Sequence, residues 1–80
     1  MCRVKATIRK GLTNAEALVC IKTVGGGMAR VVMGSRRAGQ GLVEVREIQR
    51  EANRVMIELP RETELGEWRV WVPADQLVNS

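Results

Sequence analysis

Residues 2–9, CRVKATIR, alternate without a break: Cys2, Val4, Ala6 and Ile8 are apolar, while Arg3, Lys5, Thr7 and Arg9 are polar. A period of two sends successive side chains to opposite faces of an extended chain, so this segment predicts a half-buried β-strand with one cationic face. The chain continues in the same manner. Ala17–Ile21 is a second apolar run and Met28–Met33 a third, separated by turn compositions at Gly11–Asn14 and Gly25–Gly27. Trp68, Val70 and Val72 then alternate with Arg69 and Trp71 until Pro73 stops the element.

The first two segments read as a hairpin. Pairing Val4 with Ile21, Ala6 with Val19 and Ile8 with Ala17 sets apolar against apolar throughout and puts Cys20 on the face away from Cys2. A helix over Asn14–Ile21, with Asn14 as N-cap, is the alternative, and it suits the continuous Leu18–Ile21 run less well. Two readings compete over residues 42–59. As strands, Val43 and Val45 alternate, and so do Val55, Ile57 and Leu59 after a turn near Ala52 and Asn53. As one helix, Val45, Ile48, Ala52, Val55, Met56 and Leu59 form a stripe of period 3.6. That helix would stack Arg46, Arg50 and Arg54, each pair costing a few tenths of a kcal/mol. Glu47–Arg50 and Glu51–Arg54 contacts would nearly offset the cost, and the strand reading is preferred. Pro60 ends the element, Arg61–Gly66 is a polar loop, and Ala74–Leu77 suits a short 3₁₀ or helical turn.

Short strands joined by glycine-rich turns in 80 residues predict one all-β domain spanning 1–80, a small SH3-like or OB-like barrel of five to six strands. The helical reading of 44–58 would make it α+β instead. With no Phe or Tyr, the core must come from aliphatic side chains. Eighty residues lie near the lower range for a self-sufficient core, so a homodimer or larger homo-oligomer is expected.

Chemistry is bounded by what the chain lacks. There is no histidine, the commonest general base and metal ligand, and no P-loop or GxGxxG spacing. These point away from catalysis, towards a binding protein with no cofactor. No apolar run approaches the ~20 residues of a membrane span. The opening MCRVKATIRK has no hydrophobic stretch of the signal-peptide kind. A cytoplasmic location is therefore expected, with Cys2 and Cys20 as free thiols.

Charge is unevenly distributed. Residues 1–46 carry nine Lys and Arg against two Glu, a net +7, whereas residues 47–80 carry four Arg against seven acids, a net −3. The basic half suits an anionic partner, and nucleic acid is the first expectation. The residues expected to meet it are Arg3, Lys5 and Arg9 on the first strand, Arg30, and Arg36 and Arg37 in the loop GSRRAGQG at 34–41. Lys22 would flank them. In that loop, glycines let backbone amides approach an anion and arginines offer forked donors. Trp68 and Trp71 lie three apart and so face opposite ways; Trp68, in phase with Val70 and Val72, is expected in the core, leaving Trp71 as a surface platform for stacking a base. The opposite charges of the two halves equally allow a module that associates with itself or another protein.

Cys2 suggests a different chemistry. A thiol at position 2 can chelate through sulfur, neighbouring deprotonated backbone amides and, if Met1 is removed, the terminal amine, a planar nitrogen and sulfur set suited to Ni(II) or Cu(II). MCRVKATI resembles the opening of the small nickel-binding accessory proteins of carbon monoxide dehydrogenase maturation, and VEVREIQREANRVMIEL (43–59) is loosely similar to their closing hairpin. Over residues 1–59 that resemblance implies a small dimeric β-fold whose nickel site takes Cys2 from each chain. The tail GEWRVWVPADQLV is similar to the last hairpin of SH3-like domains.

Overall fold

The computed structural model describes residues 2–11, 13–38 and 41–78. All of its long elements are extended, as period-two sequences require. They are β1 (Cys2–Lys5), β2 (Thr7–Lys10), β3 (Glu16–Lys22), β4 (Met28–Gly34), β5 (Leu42–Arg50), β6 (Arg54–Glu58), β7 (Arg69–Pro73) and β8 (Leu77–Val78). The exceptions are one helical turn, α1 (Ser35–Ala38), and a 3₁₀ turn at Ala74–Gln76. GSRRAGQG is therefore not wholly a loop, since α1 lies inside it.

The chain is all-β, as expected, and its strands form two antiparallel sheets that do not close into a barrel: β7-β6-β5-β1-β8 and β2-β3-β4. What prevents one continuous sheet is a break in the first strand at Ala6. There the backbone N–H donates to the carbonyl of Gly41 at 2.9 Å instead of entering a ladder. Cys2–Lys5 thus pair with β5 and β8, and only Thr7–Lys10 pair with β3. The expected facing of Val4 with Ile21 is lost, and Ile8 faces Val19 instead of Ala17. This slip is two residues, so every side chain keeps its expected face.

Gly41 holds the corner. Its φ is +87°, a conformation L side chains rarely adopt, and a Cβ there would stand 3.3 Å from the carbonyl oxygen of Ala6. Gly41→Ala should therefore lower stability by about 1–2 kcal/mol. Gly34→Ala, where a Cβ would meet nothing within 4 Å, should change it by less than about 0.5 kcal/mol. Urea midpoints of the two variants check this, and equal midpoints would contradict it.

Residues 42–58 are a hairpin, which overturns the helical alternative at 44–58. Yet the charge pairs that the helical reading called for are present. Pairing shifts between Glu47 and Gln49, so Ile48 is an extra residue in β5. A regular strand puts residues three apart on opposite faces; the bulge restores Glu47 and Arg50 to one side. Arg50 Nη2 lies 2.8 Å from Glu47 Oε1, and its guanidinium holds the Glu47 carboxyl below the usual carboxylate range. Across the following turn Arg54 Nε meets Glu51 at 2.8 Å.

One apolar core lies between the sheets. The larger contributes Val4, Val43, Val45, Val55, Ile57 and Val72; the smaller contributes Val19, Ile21, Ala29, Val31 and Met33. The β3–β4 turn runs through Gly25 and Gly26, both at positive φ, and ties itself to the edge of β7 through Val24 N–H and the Trp71 carbonyl. No described helix is long and apolar enough to cross a membrane.

Candidate functional site

Core packing on one side of the small sheet dictates what its other side must show. Because Ile8, Val19, Ile21, Val31 and Met33 turn inward, their neighbours turn outward. Register then fixes the rows across β2, β3 and β4. Arg9 lies beside Leu18 and Val32, Thr7 beside Cys20 and Arg30, and Lys22 beside Met28. Lys5, next along the bent first strand, borders the last row. Two adjoining grooves follow this face. One, of about 340 Å³, takes in Arg9, Cys20 and Arg30, and the next, of about 230 Å³, takes in Lys5, Cys20 and Lys22. Thr7, Cys20 and Met28 line both. A single acid, Glu64, borders them.

The fold therefore unites Lys5, Arg9 and Arg30 and adds Lys22. Among the described residues, none of these four is in a salt bridge. The arginines of the second half behave oppositely, and each has work within the fold. Arg50 pairs with Glu47, Arg54 with Glu51, and Arg69 with Glu58 at 3.1 Å, while Arg61 Nη1 donates to the Val32 carbonyl at 3.3 Å. The excess positive charge is thus confined to surfaces contributed by the first half.

Other expected residues lie apart from this face. Arg3 is on the outer side of the large sheet, opposite Glu44. Arg36 is exposed on α1, beyond the Gly34 end of β4. The side chain of Arg37 lies outside the described residues. Trp71 projects from the outer side of the large sheet beside Met56, with the Arg54 guanidinium 4.1 Å over its ring. That stacking occupies one face of the indole.

Trp68 is not in the core. Its carbonyl accepts from Leu59 N–H at 2.7 Å, which continues the β6–β7 ladder and keeps it in phase with Val70. It is nevertheless 51% exposed. It lines an open groove of about 460 Å³ with Val32, Pro60, Arg61, Glu62 and Glu64. Glu64 is common to this groove and the Arg9–Arg30 groove, so the cationic face and the tryptophan adjoin. Glu64 N–H also donates to the Arg30 carbonyl at 3.0 Å, seating the 60–67 loop on the edge of β4. Sequence alternation pointed Trp68 inward, yet half of its surface stays exposed.

Cys2 is 7% exposed, sits among the core residues and directs its Sγ to the Val45 carbonyl at 3.8 Å. Cys20 is also buried, on the opposite side of the small sheet from the core, and both thiols are free. Among the described residues no group of three or more His, Cys, Asp or Glu is placed to hold a metal ion. Compared with known proteins, the chain matches no family model, no curated protein and no solved structure.

Proposed function

We propose that this protein is a small, non-catalytic nucleic-acid-binding module whose contact surface is the outer face of the β2-β3-β4 sheet. The supporting observation is the gathering of cations: Lys5, Arg9, Lys22 and Arg30 line two adjoining grooves on one face and, among the described residues, enter no salt bridge, whereas Arg54 and Arg69 on the larger sheet are paired with Glu51 and Glu58. Cations spaced by the β-pleat along two adjoining grooves suit a polyanion with repeating phosphates better than a single small anion. Exposed Arg36, at one end of the sheet, would lengthen that track. The SH3-like or OB-like kinship belongs to the same proposal. It is supported by a first strand shared between two sheets and by the 3₁₀ turn leading into the closing strand β8.

Fluorescence anisotropy of labelled oligonucleotides between about 25 and 200 mM salt tests the reading. If all four cations meet phosphates, log K should fall with log salt with a slope of about −3. Arg30→Gln should make that slope shallower by about 0.7 and weaken binding by a similar factor on every sequence tried. Arg54→Gln, on the other sheet, should leave the slope unchanged. A flat salt response in the parent chain would end the proposal.

A further inference from the structure

The groove at Trp68 has a chemistry distinct from that of the cationic face it adjoins. It is lined by the half-exposed indole of Trp68 with Val32 and Pro60, and by Glu62, Glu64 and Arg61. Two carboxylates make it a poor seat for phosphate. An apolar cleft with an aromatic wall and carboxylate acceptors suits a nucleobase, whose π-face stacks and whose amino hydrogens need acceptors. A base can reach such a cleft only after leaving its helical stack. We infer, building on the function proposed above, that the ligand is single-stranded. Its backbone runs over Lys5, Arg9, Lys22 and Arg30, and one unstacked base lies against Trp68.

The two segments are suitably joined. The grooves share Glu64, and Val32, which borders Trp68, occupies the same cross-sheet row as Leu18 and Arg9. A strand following the cations towards Arg9 and Arg30 therefore arrives at the tryptophan cleft. Trp71 cannot take this role, because it projects from the outer side of the large sheet and has Arg54 over its ring.

The chain has two tryptophans, so Trp71→Phe leaves Trp68 as the sole reporter. Titration of that variant with a 15-nucleotide oligodeoxycytidine should quench its emission. In the otherwise unaltered chain, Trp68→Ala should weaken binding of the same oligonucleotide about 10- to 100-fold, the loss expected for one stacked base. It should change affinity for a duplex less than about twofold. Because Trp68 is outside the core, this variant should retain the parent's circular dichroism. Salt-dependent oligonucleotide binding that neither quenches Trp68 nor responds to Trp68→Ala would overturn the single-strand inference and leave the cationic face standing. Failure of both single strand and duplex to bind would remove the proposed function itself.

Discussion

Ile21→Ala should unfold the protein at a markedly lower urea concentration, with a loss of about 2–5 kcal/mol. Ile21 is fully buried in β3, the central strand of the small sheet, where it faces Ala29. Its small neighbour on β4 and the valines around it have no slack side chain with which to fill the space, and the core contains no aromatic residue to swing in. For a chain this short, that loss is a large share of the ~5–15 kcal/mol typical of folded domains. Ile48→Ala supplies the comparison, since the same deletion at the bulge removes a side chain already 37% exposed. It should cost less than about 1 kcal/mol. Circular dichroism through a urea titration measures both, and equal losses would show that the sheets do not close over Ile21.

Thr63→Val should be the costliest change outside the aliphatic core, at about 1–3 kcal/mol. Thr63 is the one buried polar residue among those described, 6% exposed. Its Oγ1 accepts from the backbone N–H of Leu65 at 3.2 Å and of Glu67 at 3.1 Å, while its own N–H donates to the Glu67 carbonyl. Valine keeps the shape and deletes the acceptor, leaving two partly buried donors unmet. The consequence reaches the proposed site, because this turn positions Glu64 against the Arg30 carbonyl and so seats the loop beside β4. Hydrogen exchange at the Glu64 amide should accelerate in Thr63→Val, and Thr63→Ser, which retains the oxygen, should stay close to the parent. Thr13→Val tests specificity. That hydroxyl accepts from Ala15 N–H in an exposed turn, and its loss should be within about 0.5 kcal/mol. Unchanged exchange at Glu64 would mean that something other than Thr63 holds the loop.

The cationic face was legible in the sequence because strand alternation alone puts Arg3, Lys5, Thr7 and Arg9 on one side of a chain whose other side is apolar. A two-residue slip in pairing left Lys5, Thr7 and Arg9 together on that side. The place of Arg3 was not legible. The Ala6 break sends the first strand into two sheets, so Arg3 comes to lie opposite Glu44 while Arg9 stays on the small sheet. Trp68 was misplaced for a related reason: phase tells which way a side chain points, and says nothing about whether anything lies there to cover it.

The hairpin at 42–58 illustrates the same division. Glu47 and Arg50, and Glu51 and Arg54, are spaced three apart, and the sequence correctly marked them as partners. Spacing of three belongs to a helix by default, and a bulge at Ile48 achieves the first of these pairings in a strand. No local property of Ile48 distinguishes it from any other β-branched residue in an alternating run.

By itself, then, the sequence determined the β class, the turns, the aliphatic core and, outside the bulge at Ile48, the direction in which strand side chains face, because these follow from periodicity and local backbone preference. Tertiary structure alone decided that five strands would pack on three, that the first strand would be divided between them, and that Trp68 would lie uncovered beside Arg9 and Arg30. Those outcomes depend on hydrogen bonds between Ala6 and Gly41 and between Glu64 and Arg30. Both join residues far apart in the chain, where no sequence period extends.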